Sequence, residues 1–179
     1  MSFSFYDLIQ HLTSKDSKLY QALDQLYLGQ TSSELPISVI RKSGDESVTS
    51  STVLINDRDL IVNLVASTKY LLEYNLYLRG ANAGGYRFGF YGNLTYNNLK
   101  VVAIEYNVVA LGVQVSVYEA WSTGSLNANV STVNPNFIQI KCTIEVRSTG
   151  TFIFRWAQAN VNATPLKVLR GSHLILSKL

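Results

Sequence analysis

The sequence has one cysteine, two histidines and few charges, and each shortage removes a class of protein. Cys142 alone cannot close an intrachain disulfide, and it leaves too few thiols for a structural zinc site. His11 and His173 stand far apart in the chain and neither adjoins a G-x-S-x-G elbow, so neither a shared metal centre nor a hydrolytic triad is expected. No apolar stretch approaches the roughly 18 residues of a membrane span, and "MSFSFYDLIQ" lacks the basic and apolar regions of a signal peptide. A membrane partner and export by the usual route are therefore not expected. The sequons at Asn93, Asn129 and Asn162 then read as loop asparagines.

Charged residues make up 15% of the chain, the net charge is +3, and the basic residues are scattered, so no nucleic-acid partner is expected. "GANAGGYRFGFYG" is rich in glycine but matches no phosphate-cradling loop, which excludes the usual nucleotide cofactors and leaves a hairpin turn and a close strand crossing. No cofactor is expected.

What the sequence does have is apolar bulk, 47% of its residues, and eleven tyrosines. A chain of 179 residues can bury one substantial core and carry an appendage. The appendage comes first. Phe5, Leu8, Ile9 and Leu12 fall on one helical face, and after the break "TSKDSK" the residues Leu19, Leu23 and Leu26 fall on a second one, ended by Gly29. "GQTSSELP" reads as a linker, so the spacing predicts a helical arm over 1–34 and a second domain over 35–179.

Beyond Pro36 the period becomes two. In "YLLEYNLYLR" Tyr70, Leu72, Tyr74, Leu76 and Leu78 face one way, and in "FIQIKCTIEVR" Ile138, Ile140, Cys142, Ile144 and Val146 do the same. Further strands are legible in "PISVIRK", "DLIVNLV", "YRFGFYG", "LKVVAIEYNVV", "GVQVSVYEA", "GTFIFRW" and "GSHLILSKL", with "STGS" and "RSTG" read as turns. About eight to ten short strands without intervening helices predict a mainly β protein, an antiparallel β-sandwich of jelly-roll type with a short N-terminal helical arm. At the end of the chain, Phe152, Phe154 and Trp156 are expected in the core. Gln158 is expected to satisfy turn backbone, and Gly171-Ser172 to open a last strand that returns beside this one as a closing hairpin.

Candidate chemistry is sparse. Glu73, Glu105, Glu119 and Glu145 are the polar partners of apolar neighbours in strands, which favours a solvated face over a glycosidase pair. Asp45, Glu46, Asp57 and Asp59 offer oxygen ligands of the kind Ca²⁺ accepts, against a plainer reading as turn and strand-edge carboxylates with Arg58 beside them. No catalytic residue is assigned, and an enzyme is not expected. The tyrosines suit interfaces that are apolar and partly wet.

"SSTVLINDRDLIVNLVASTKYLLEYNLYLRG", residues 50–80, has a short Thr strand, an acidic turn, an L-x-V-x-L-type strand and a long strand opened by tyrosine. "GTFIFRWAQANVNATPLKVLRGSHLILSKL", residues 150–179, ends a strand in Trp-Ala-Gln, crosses a polar turn, passes Gly-Ser and a histidine and finishes leucine-rich. Together they resemble the tailed-bacteriophage virion structural proteins. That resemblance implies a homotrimeric jelly roll of the tumour-necrosis-factor and complement-head type over residues 36–179, placed on the virion and assembled in the bacterial cytoplasm. The expected role is a decoration or fibre protein whose arm, through Phe5, Leu8, Ile9, Leu12, Leu19, Leu23 and Leu26, docks on a capsid, neck or tail protein. The alternative is a receptor-binding knob of a tail fibre that contacts a host surface glycan or protein through loops around Tyr91 and Trp121.

Overall fold

The computed structural model describes residues 37–80, 84–107, 112–119, 123–126 and 136–179, all within one unit, Pro36–Leu179. The helical arm expected over 1–34 lies outside the described residues. Twelve strands are present among them: β1 (Ser38–Arg41), β2 (Glu46–Val48), β3 (Ile55–Leu64), β4 (Thr68–Arg79), β5 (Tyr86–Gly92), β6 (Tyr96–Asn107), β7 (Gly112–Glu119), β8 (Thr123–Leu126), β9 (Asn136–Val146), β10 (Gly150–Ala157), β11 (Leu166–Val168) and β12 (His173–Lys178).

The larger sheet runs β1-β12-β4-β9-β6-β7, with β11 bridging β2 and β4, and the smaller runs β3-β10-β5-β8. Every described pairing is antiparallel. When the short pair β2 and β11 and the hairpin β6–β7 are set aside, eight strands remain. Numbered in chain order, they lie as 1-8-3-6 in one sheet and 2-7-4-5 in the other. Sequence-distant strands alternate within each sheet, which is the strand order of a jelly roll. The hairpin β6–β7 widens the larger sheet beyond β9.

Register follows from alternation. On β4 and β9 the inward residues meet as Tyr70 with Ile144, Leu72 with Cys142, Tyr74 with Ile140 and Leu76 with Ile138. A slip of one residue would turn all of them to water, so this pairing is strongly specified. The smaller sheet answers with Leu60, Val62 and Leu64 from β3, Phe88 and Phe90 from β5, and Phe152, Phe154 and Trp156 from β10, all buried. Tyr74 stacks on Phe154 across the gap at 4.8 Å between ring centroids. Cys142 lies in this core, and burial pushes its thiol far above the usual range, so it carries no thiolate chemistry. Gly92 marks the expected close crossing: a Cβ there would stand 2.0 Å from the Thr151 carbonyl oxygen.

Four local expectations are corrected. "STGS" is not a turn, because Thr123–Leu126 forms β8, an edge strand held by its ladder to β5 rather than by its own propensity. "NDRD" is not a turn either, and residues 51–54 before it form no strand. The acidic segment runs inside β3 at a register shift opposite Ile153 and Arg155, where the Asp57 carboxylate accepts the N–H groups of Asp59 and Leu60 at 3.0 Å each. The short strands β2 and β11 raise the total above the expected eight to ten. Their three residues each are too few to show a period. Finally, β12 does not close a hairpin on β10, since it crosses to the larger sheet between β1 and β4.

Gln158 makes that crossing possible. Its Oε1 accepts the N–H groups of Ser51 and Asn162, and its Nε2 donates to the carbonyls of Asn162 and Thr164 at 3.0 and 2.8 Å. One buried amide thus takes the place of a sheet ladder for the connection. Ser172 opens β12 by accepting the Tyr77 N–H on its hydroxyl. Gln158→Ala is expected to destabilise the protein by about 2–3 kcal/mol, because buried backbone groups lose their partners. Urea unfolding measures this, and a cost below about 0.5 kcal/mol would show that the connection holds itself.

Candidate functional site

The alternation that fills the core also decides the outward face of the larger sheet. Rows of register partners cross it: Val39, Ile175, Glu73, Lys141 and Val102 form one, and Arg41, His173, Asn75, Gln139 and Ile104 the next. A sheet with one face to water normally presents polar side chains there. Here Val39, Leu71, Val102, Ile104 and Ile175 point outward, and only Val39 among them is fully exposed. At the far end Tyr77 and Phe137 pack ring to ring at 5.5 Å.

Polar and charged side chains share this face with the apolar ones, and a hydrogen-bonded seam of them runs through its middle. Gln139 Nε2 donates to Glu73 Oε1 at 2.9 Å and to Asn75 Oδ1 at 3.1 Å, while Lys141 Nζ lies 3.1 Å from Glu73 Oε2. Of the four strand carboxylates, Glu73 is therefore held as a structural acceptor. The face thus combines half-buried apolar side chains with a hydrogen-bonded, charged seam.

The acidic cluster has a different arrangement from a calcium loop. Lys42 is buried, and its Nζ lies 2.8 Å from Glu46 Oε2 and 2.8 Å from Asp57 Oδ2. Trp156 Nε1 donates to the same Asp57 oxygen at 3.1 Å. Asp45 turns away to accept the Arg170 N–H, and Asp59 accepts the backbone N–H of Ser43. The four carboxylates do not converge, and among the described residues no group of three or more His, Cys, Asp or Glu side chains is placed to hold a metal. The lysine ammonium supplies the positive charge that a Ca²⁺ reading would assign to the ion. Arg58, expected as the neutralising partner, adds an exposed contact to Glu46 at 3.4 Å. Sequence reasoning missed Lys42 because nothing in "VIRKSG" separates a buried lysine from a solvated one.

Tyr91 stands in β5 on the outward face of the smaller sheet, not in a loop, with the Arg155 guanidinium 5.4 Å from its ring centroid. It is 57% exposed and lines, with Tyr96, a hollow of about 190 Å³. Trp121 and the arm residues Phe5, Leu8, Ile9, Leu12, Leu19, Leu23 and Leu26 lie outside the described residues. His173 is an outward strand residue whose Nδ1 meets the Gly171 carbonyl, as its position beside the Gly-Ser turn suggested.

No family model matches the chain, and no curated protein matches it. Among solved structures it is similar to TmCBM61 in complex with β-1,4-galactotriose, at 16% identity over 69% of this chain and 88% of that one, with a TM-score of 0.33. It is also similar to the infectious bursal disease virus Gx strain structure, at 12% identity over 79% of this chain and 40% of that chain, with a TM-score of 0.21. The VP2 subviral particle of the same virus is similar at 11% identity over 79% of this chain and 39% of that chain, also at 0.21. The chain thus spans about two-fifths of the viral chains. The class stated here, an antiparallel jelly roll, rests on the strand order.

Two substitutions probe the buried polar groups. Lys42→Met is expected to cost about 3–5 kcal/mol, because it leaves the Asp57 carboxylate buried without its cation. The hydroxyls of Tyr74 and Tyr86 are buried without a hydrogen-bond partner, and burial, the leading cause, raises both well above the usual tyrosine range. Tyr74→Phe is therefore expected to be neutral or stabilising by up to about 1 kcal/mol. Thermal or urea unfolding of both variants decides, and a tolerated Lys42→Met would contradict the role given to the ion pair.

Proposed function

We propose that this chain is a non-enzymatic structural protein of a bacteriophage virion, a homotrimer of the tumour-necrosis-factor type that decorates the particle or caps a fibre. Residues 1–34 hold it to a capsid, neck or tail protein. The outward face of the larger sheet carries this reading, because its half-buried apolar residues around a fixed polar seam suit contact with further copies of the same chain. The segments 50–80 and 150–179 add the resemblance to phage virion proteins.

Such a protein works by geometry. Completing the burial of each half-buried Val, Leu or Ile of that face contributes a fraction of the about 1.5–3 kcal/mol of full burial, and cyclic symmetry closes the assembly after three copies. Each subunit then presents one arm, and three arms joined in one body bind with an avidity that a single arm lacks. Native mass measurement at micromolar concentration is expected to give a trimer. Ile175→Asp with Val102→Asp is expected to give a folded monomer by circular dichroism. A wild-type monomer sinks the assembly.

The second reading is a knob that binds a host surface glycan or protein, and the layout of the loops favours it. Ile37 opens the described chain beside the Leu176–Lys178 end of β12, where the connections 65–67, 93–95 and 147–149 are short. The connections 42–45 and 49–54, on either side of β2, and the connection 158–165 lie at the opposite end, beyond Arg41 and Ala157. Surface connections are where recognition is commonly carried. An adsorption assay separates the readings: shortening 158–165 should abolish host adsorption if the knob binds a receptor, and wild-type adsorption after that change removes this reading.

A further inference from the structure

At the end of the larger sheet where Ile37 arrives, two adjoining hollows of about 580 and 360 Å³ share Lys69, Glu145 and Leu179. The larger adds Arg147 and Lys178, and the smaller adds Lys100. Among the described residues none of these four cationic side chains forms an ion pair. Glu145 faces three cations in the larger hollow, and Glu119 stands opposite Lys100 in register.

Ser67, Thr68, Asn97 and Thr143 add hydrogen-bonding groups to the lining, beside the apolar Tyr70, Ile144 and Val146. Its shape comes from the backbone: β6 shifts register between Asn97 and Lys100, and Asn98 there has φ 49°, while Ser67 at the opposite wall has φ 58°. A bulge of this kind re-aims side chains out of the sheet. The result is a trough of two adjoining hollows with cations in excess along it.

We infer that this trough binds a carboxylate-rich peptide segment of the particle protein on which the arm docks. The assignment rests on the attachment reading: Ile37, the first described residue after the arm and linker, enters the sheet at this end. A peptide with several carboxylates suits four cations spread over two adjoining hollows better than a single small anion does. Its contribution is orientation: the arm supplies apolar affinity, and the charged trough fixes how the domain sits.

The test uses the full chain and a fluorescein-labelled hexaglutamate peptide, read by anisotropy at low and moderate salt. Wild type is expected to bind hexaglutamate and to lose about ten-fold in affinity in the variant Lys69→Glu/Arg147→Glu/Lys178→Glu, with wild-type circular dichroism. The neutral variant Lys69→Gln/Arg147→Gln/Lys178→Gln should fall between them and guards against misfolding of the first. No binding by wild type, or equal binding by all three proteins, overturns the inference. Equal or tighter binding of a hexathymidylate overturns the peptide assignment in favour of nucleic acid. Particle attachment separates the two readings: Leu8→Asp/Leu12→Asp should lose attachment but keep hexaglutamate binding, whereas the trough variants should weaken both. Trough variants that attach like wild type overturn the trough and leave the arm standing. An arm variant that attaches like wild type removes the arm reading, and hexaglutamate binding still decides the trough.

Discussion

The stacking of Tyr74 on Phe154, between a strand of one sheet and a strand of the other, is the contact on which the rest of the fold depends. A chain with a single cysteine has no covalent staple, so its two sheets stay together by burying side chains between them. Phe90 extends the contact, 5.8 Å from Tyr74 and stacked on Phe152 at 5.2 Å, so rings from β4, β5 and β10 form one continuous layer. Each ring reaches that layer because its strand alternates. The same alternation sends the neighbouring residues outward, which is why the surface of the larger sheet is as strictly determined as its core.

The second constraint is a buried charge. Asp57 lies in the core side of β3, and an isolated carboxylate there would be costly, so its oxygens are met by Lys42, by Trp156 Nε1 and by two backbone N–H groups. This fixes three separate pieces of chain relative to each other: the exit of β1, the bulge of β3 and the end of β10. Gln158 does the same with neutral groups a few residues later. Both devices sit at the end of the sandwich that carries the long connections, where ladder hydrogen bonds run out and side chains must replace them.

The two ends of the domain consequently differ in kind. One has long connections anchored by buried polar side chains, and the other has short turns, the arriving chain and a trough of cations. Between them lies a mixed face on which half-buried apolar side chains flank Glu73, Gln139 and Lys141. The proposed assembly uses the flank for contact between copies and turns one of the two chemically distinct ends to a particle. That arrangement is what the proposed role requires of the molecule.

Much of this was legible in the order of residues. The period of two fixed the inward positions of β4, β9 and β10, including Cys142 and Trp156, because burial of a pleated strand admits only one face. Gln158 was also readable, since a lone amide at a strand end before a polar stretch has turn backbone to satisfy. Other features have no local signal. β8 is a strand because β5 lies beside it, and "TGSL" alone reads as a turn. The crossing of β12 to the other sheet depends on which edge was left open between β1 and β4, a property of the assembled sandwich. Lys42 is buried only because the fold carries Asp57 to within 2.8 Å of it, fifteen residues along the chain. The sequence by itself determined which side chains face the core, through alternation within single strands. Only the tertiary structure decided which strands are neighbours and which charges meet, because those depend on contacts between segments that no local pattern encodes.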